Sequence, residues 1–344
     1  AAALWGTGKQ PHPCDGSYVL FSNGVNMIAG AFGAPVPAEK NSGGSRQPAN
    51  PPLFVALDTL DCAIGASGPV SGLVRNIYPS HTRSIFFIKP NIFVVADHAA
   101  GTLAVPVTWG VDLAPGMRCD AAGNTIKAVH PSGASLAMAV AGNVEAPTLQ
   151  PSGGGATKLV FEQTWRLPAA WAAVYSTAGP DEYFDLQVTA DPAERGFGRG
   201  MALNISPEGA PTRYVLFLNN ERGPSQYPDH DLLLGGKAAL FDIQVRPRGK
   251  YLLIRRMTFL ETSAVAYQRK GSEWVLSFDK PFTGLVEFNQ RGGFPGGRVQ
   301  LDAAAKIPEM IMRLRLRQGT ALEMTIRAGE SVNIDAWEVE EKEE

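Results

Sequence analysis

The chain has 344 residues, 44% of them hydrophobic, and a formal charge of -2 from 31 Lys and Arg against 33 Asp and Glu. Such a chain buries a sizeable core, as one large β domain or two smaller ones. Its scattered charges leave no basic stripe for a phosphate backbone, which excludes nucleic acid as a partner. Its apolar runs break well before the roughly 20 residues that cross a bilayer, so no membrane span is expected.

The opening "AAALWGTGKQ" suits a mature end left by cleavage after small residues, and an internal processing site would leave the same end. The expected location is secreted, periplasmic or extracellular. Period-2 patterning then takes over. "SYVLFSNGVNMIAG" reads as two short strands around Asn23-Gly24, a pair whose tolerance of positive φ suits a tight primed hairpin turn. "APVPAEKNSGGSRQPANPP" follows as a long surface loop, because its Pro, Gly and Ser cannot build a ladder. Further strands are expected at "LFVALDTLDCAIGASG", "SIFFIKP", "IFVVADHA", "LAVPVTWGVDL", "TIKAVHP" and "SLAMAVAG", and at similar spacing through "KLVFEQTWRL", "AWAAVYST", "RYVLFLNN", "AALFDIQVRP", "KYLLIRRMTFL" and "MIMRLRLRQG". Only "LDAAAKIPEMIM" hints at a helix, and Pro308 cuts it short. Short strands punctuated by Gly and Pro predict an all-β fold, a large antiparallel β-sandwich with few or no helices. The expected layout is an N-terminal segment at 1–11, a sandwich at 12–335 and an acidic tail at 336–344. "QPSGGGATK", residues 150–158, reads as a loop of that sandwich or as a subdivision within it.

Residues 81–101, "HTRSIFFIKPNIFVVADHAAG", form the most hydrophobic hairpin. Lys89-Pro90-Asn91 supplies the turn, where Pro90 presets φ and lacks a ladder donor. Nearly continuous apolar residues on either side predict strands covered on both faces. Matched antiparallel strands bring Arg83 and Asp97 together at the open end, as a structural ion pair or as substrate-facing groups.

Several other positions carry side chains that bind or titrate. Asp229-His230-Asp231 puts three ligand-type groups in one loop, where they would take a divalent ion or stay solvated. His81 and His98 flank the hairpin and either reach a cleft together or cap strand ends. His130, before Pro131, reads as a turn residue. Arg313, Arg315 and Arg317 alternate along one strand face, a ladder suited to an anionic polysaccharide or to neighbouring carboxylates. Six Trp can stack on sugar rings or fill a large core. "RGFGRG" lacks the strand-turn-helix setting of a phosphate loop. Cys14, Cys62 and Cys119 lack metal-site spacing and imply one disulfide plus a buried thiol, or three thiols.

Two of these stretches resemble a family. Arg83, a hydrophobic strand, Pro90, a second hydrophobic strand and Asp97 look like the hairpin in the C-terminal β-sandwich of heparinase II/III-type polysaccharide lyases, a group that includes alginate lyases. "HPCDGSYVLFSNG" is similar to the first strand of that sandwich, with Ser17, Tyr18, Val19, Leu20, Phe21, Asn23 and Gly24 in register. The resemblance covers residues 12 to about 140 by motif and the rest only by β character.

The resemblance implies a sandwich that lines a cleft for acidic sugars. In the family a His-x-His-x-Asp element precedes the first strand and helps to build a divalent metal site. Here Gln10 replaces its first His, His12 stands at the second, and Cys14 takes the Asp position with Asp15 one step on, so a one-residue shift turns Asp15 to the other face. His12 and Asp15 are therefore candidate ligands of an altered site, and zinc or calcium is the cofactor such side chains would take. The family's catalytic Tyr, with a His or Asn that neutralises the uronate, sits on an N-terminal α/α toroid, and no helical repeat of that kind occurs in this sequence. Elimination at a uronate needs both a carboxylate-neutralising group and a base. The expected function is therefore a sandwich associated with acidic polysaccharide, in a binding or assembly role. The alternative is one half of an active lyase, with an α/α toroid chain or domain supplying the rest. Self-association is the other partnership expected.

Overall fold

The computed structural model describes the chain outside residues 1, 6–17, 33–52, 58, 68–79, 101–103, 143–144, 167–168, 181–185, 194–199, 211, 220–223, 231, 245–252, 261–263, 269–272, 279–283, 292–296, 302–309, 316–320, 327–331 and 339–344. Beyond Leu260, and at scattered earlier positions such as His81, the description is of backbone and strand register. All regular elements among the described residues are strands or three-residue 3-10 turns. The chain divides into two compact units, Ala1–Val188 and Thr189–Glu344.

Unit 1 contains β1 (Ala2–Trp5), β2 (Tyr18–Ser22), β3 (Val25–Phe32), β4 (Leu53–Ala56), β5 (Leu60–Ser67), β6 (Ser80–Ile88), β7 (Ile92–Ala100), β8 (Ala104–Leu113), β9 (Arg118–Ala122), β10 (Thr125–Val129), β11 (Ser135–Gly142), β12 (Thr148–Pro151), β13 (Thr157–Arg166) and β14 (Ala169–Ala178). The strand β15 (Leu186–Pro192) holds the division. Unit 2 continues with β16 (Met201–Pro207), β17 (Thr212–Leu218), β18 (Ser225–Tyr227), β19 (Leu232–Gly235), β20 (Ala238–Gln244), β21 (Leu253–Leu260), β22 (Ala264–Gln268), β23 (Glu273–Phe278), β24 (Gly284–Arg291), β25 (Gly297–Leu301), β26 (Met310–Arg315), β27 (Ala321–Ile326) and β28 (Val332–Glu338).

Each unit is a sandwich of a six-stranded and an eight-stranded sheet. In unit 1 the small sheet runs β1-β2-β3-β8-β13-β12 and the large one β4-β5-β6-β7-β14-β11-β10-β9. In unit 2 the large sheet runs β15-β16-β17-β20-β21-β28-β23-β26 and the small one β18-β19-β22-β27-β24-β25. Every ladder with a described register is antiparallel, as in β6 with β7 and β17 with β20. The all-β sandwich read from the patterning is the fold.

Local chemistry explains the hairpins. Ser22 pairs with Val25 across Asn23 and Gly24, whose φ values of 51° and 75° suit the primed turn that matches strand twist. "LFVALDTLDCAIGASG" is two strands, β4 and β5, because the chain reverses at Leu57, where the Leu57 amide donates to the Leu60 carbonyl. Lys89 fastens the next turn to that reversal: its amide donates to Thr59 O at 3.0 Å, and its ammonium donates to Leu57 O and pairs with Asp61 at 2.9 Å. Residues 150–158 run from β12 through a 3-10 turn at Gly153–Gly155 into β13, inside unit 1.

The helix hinted at in residues 301–312 rests on 302–309, which lie outside the described residues, between Leu301 at the end of β25 and Met310 at the start of β26. Met310, Ile311 and Met312 find ladder partners in Phe278, Ser277 and Leu276. Strands also reach into both ends of the chain: β1 pairs with β2, and Trp337 and Glu338 pair with Val275 and Trp274.

The core of unit 1 lies between its sheets. Trp109 on β8 stacks on its cross-strand neighbour Phe161 at 3.8 Å between ring centroids, and on Trp171 of the facing sheet at 3.9 Å. In β7, residues Ile92 to Ala99 are all buried, so both faces of this strand are covered. The inner face of unit 2 gathers Phe217, Tyr227, Phe241 and Phe259 in edge-to-face contacts.

Candidate functional site

The hairpin β6–β7 places Arg83 and Asp97 as register partners. Both face the small sheet, along with Ile85, Phe93 and Val95 of the core. The guanidinium donates from Nε to Asp97 Oδ1 at 2.8 Å and from Nη2 to Oδ2 at 3.0 Å, a bidentate fork. Both residues are at most 4% exposed. The Arg83 Cζ also lies 5.7 Å from the centroid of the Tyr18 ring. The Tyr18 hydroxyl, from the small sheet, is hydrogen-bonded to the Tyr175 hydroxyl of the large one. Ser22 donates to Thr177 at 2.9 Å, a second polar link between the sheets.

Burial and charge act in opposite directions here. Desolvation opposes the charge on Arg83, and the Asp97 carboxylate outweighs it, holding the guanidinium above its ordinary pKa. Burial pushes the phenols of Tyr18 and Tyr175 well up, against the smaller opposing effect of Arg83. The cluster is thus a permanently charged pair flanked by neutral phenols, closed to solvent, and it links the two layers.

The register places His81 and His98 on opposite faces of the hairpin. His98 is buried on β7 opposite Thr82, on the face away from Asp97, while the backbone of His81 pairs with Ala99. His130 closes a turn in which the Ser132 amide donates to His130 Nδ1 at 3.2 Å. Arg313 and Arg315 lie on β26, the edge of the large sheet of unit 2, with Val275 and Glu273 as register partners. Arg317 lies outside the described residues, as do His12, Asp15 and Asp231. No disulfide joins Cys62 and Cys119.

His230 is the candidate ligand with the most informative setting. It ends a 3-10 turn, Pro228–His230, between β18 and β19 of the small sheet of unit 2. Its Nε2 lies 3.1 Å from Asp191 Oδ2 on β15 of the large sheet. The same oxygen accepts from Asn204 Nδ2 on β16 at 2.6 Å, and Asn204 Oδ1 accepts from Arg213 Nη2 on β17 at 2.9 Å. The His230 ring stands edge-on to Phe217, with centroids 5.1 Å apart. A string of four polar side chains therefore runs along the edge of the aromatic core.

Asp229 beside it is exposed, and no group of three His, Cys, Asp or Glu side chains suited to a metal ion occurs among the described residues. Single-sequence reading could not find Asp191, Asn204 or Arg213, because each is an ordinary polar residue in an alternating strand. Only the register of three neighbouring strands brings them together. Tyr18 was visible as a strand residue, but its partner 157 positions away in Tyr175 was not.

No family model and no curated protein matches the chain. Among solved structures it is similar to a heparinase III, at 12% identity and a TM-score of 0.45, over 60% of this chain and 36% of that one. It is also similar to the heparan sulfate lyase HepC from Pedobacter heparinus, at 14% identity and a TM-score of 0.42, with the same shares covered. A further heparinase III structure is 13% identical with a TM-score of 0.42, over 60% of this chain and 35% of that one. The chain thus spans little more than a third of the length of these structures.

Proposed function

We propose that this chain is a β-sandwich that associates with acidic polysaccharide outside the cytoplasm, in a binding or assembly role, without a complete elimination site of its own. The observation that carries the reading is the fate of four chemistry-bearing side chains among the described residues of unit 1. Arg83, Asp97, Tyr18 and Tyr175 are committed to one another inside the core, where no polymer reaches them. Elimination at a uronate asks for a base and a carboxylate-neutralising group that both touch the sugar. The candidates for contact with an anionic polymer are Arg313 and Arg315, at register positions on the edge strand β26.

The strand and turn motifs around Tyr18 and Pro90 also support a second reading, in which the sandwich completes a lyase with an α/α toroid chain or domain. Retention on immobilised alginate and heparan sulfate, measured against salt, tests the first reading. Replacing Arg313 and Arg315 by Ala should weaken retention about tenfold and flatten its salt dependence, because fewer screened charge contacts remain. Retention that is absent, or unaffected by both salt and the substitutions, would overturn polymer binding at this edge.

A further inference from the structure

The string that ends at His230 has a direction, fixed by what each group can donate. A guanidinium only donates, so the Asn204 oxygen must face Arg213 and its NH2 group must face Asp191. An ionised Asp191 only accepts, so His230 Nε2 carries the hydrogen in the contact between them. In the neutral imidazole that leaves Nδ1 with a lone pair. Nδ1 makes no hydrogen bond within the described residues, and the ring is held in place from two sides by Asp191 and the buried Phe217. The arrangement follows the orienting logic by which a carboxylate fixes both the tautomer and the angle of a histidine.

We propose that His230 Nδ1 is a ligand-binding acceptor, and that it takes a hydroxyl group of a sugar. The neighbouring Asp229 carboxylate is exposed and adds a second acceptor to the same turn. Acceptors on adjacent residues of one turn suit the hydroxyls of a sugar ring and disfavour its carboxylate, which Asp229 repels. Unit 2 therefore reads the hydroxyls of the polymer, and this contact is insensitive to salt. Asp191, Asn204 and Arg213 are positioning residues that never touch the ligand. The inference rests on the polysaccharide-binding reading and specifies one site within it.

The chain has five histidines, so selective 15N labelling of their rings gives a spectrum in which His230→Ala identifies the His230 signals. The expected spectrum of the neutral imidazole shows a protonated Nε2 and an unprotonated Nδ1. Adding an alginate oligosaccharide, or its carboxyl-reduced neutral form, should shift Nδ1 at both low and high salt. His230→Ala should weaken the neutral form about fivefold, the worth of one neutral hydrogen bond. Asp191→Ala keeps the imidazole but frees it, so the tautomer signature should average and the affinity should fall by a similar factor. A protonated Nδ1 in the native protein, or an unmoved His230 signal while oligosaccharide binds elsewhere, overturns this site and leaves the binding reading intact. Absence of binding by either form overturns both. A shift produced by zinc ions alone, with none from sugar, would also overturn it.

Discussion

Arg83 and Asp97 show how a charge can sit inside a hydrophobic layer. Each satisfies the other through a two-point fork, so removing one strands the other without water. Arg83→Ala or Asp97→Ala should cost unit 1 about 3–5 kcal/mol in urea unfolding, the range for a broken buried pair. The double replacement Arg83→Met with Asp97→Leu should cost less than either single change, since no orphaned charge remains. A double variant as unstable as the sum of the singles would refute the pairing as the source of the loss.

The phenols give a pH prediction with a definite sign. Tyr18 and Tyr175 are held above their ordinary value of 10.0, chiefly by burial, so the folded state keeps its phenolic protons after the unfolded chain has released them. Stability should be complete below about pH 10 and fall above it, by up to about 1.4 kcal/mol per pH unit for each tyrosine. Chemical unfolding between pH 8 and 12 should show that decline, and Tyr175→Phe should reduce its slope. A flat profile would mean that the phenols are open to solvent.

At the scale of elements, close strand approach is written into one glycine. Gly142 ends β11 at φ 101°, and a Cβ there would stand 2.6 Å from Ala170 O and 2.9 Å from Trp171 Cα on β14. Gly142→Ala combines left-handed strain with a backbone clash and should cost about 3 kcal/mol, read as a lower urea midpoint. An unchanged midpoint would show that the two strands can separate there without loss.

Elements were also what the sequence displayed best. The Asn23-Gly24 turn, the hairpin with its Lys89-Pro90-Asn91 reversal and the alternating strands were legible because each depends on neighbours within ten residues. The alignment of Arg83 with Asp97 followed from matched strand lengths. Sheet order was not legible, since β8 reaches back to β3 and onward to β13 across long stretches of chain. Asp191 reaches His230 across 39 positions and two sheets, and no local pattern encodes such a meeting.

For the whole molecule, the two units share a plan of paired six- and eight-stranded sheets but differ in what they hold inside. Unit 1 has a closed polar cluster between its layers, and unit 2 has a polar string at the margin of an aromatic core with an imidazole nitrogen left available. In the proposed function, ligand contact falls to unit 2 and the unit 1 cluster has a structural role. In the proposed function the chain holds acidic polysaccharide without cleaving it. The most direct test of that function is the ultraviolet absorbance of unsaturated uronate, followed while the chain alone is mixed with alginate or heparan sulfate at concentrations where binding is independently seen. Bound polymer and flat absorbance are the expected result. Rising absorbance from the isolated chain, lost on replacement of its own residues, would contradict it.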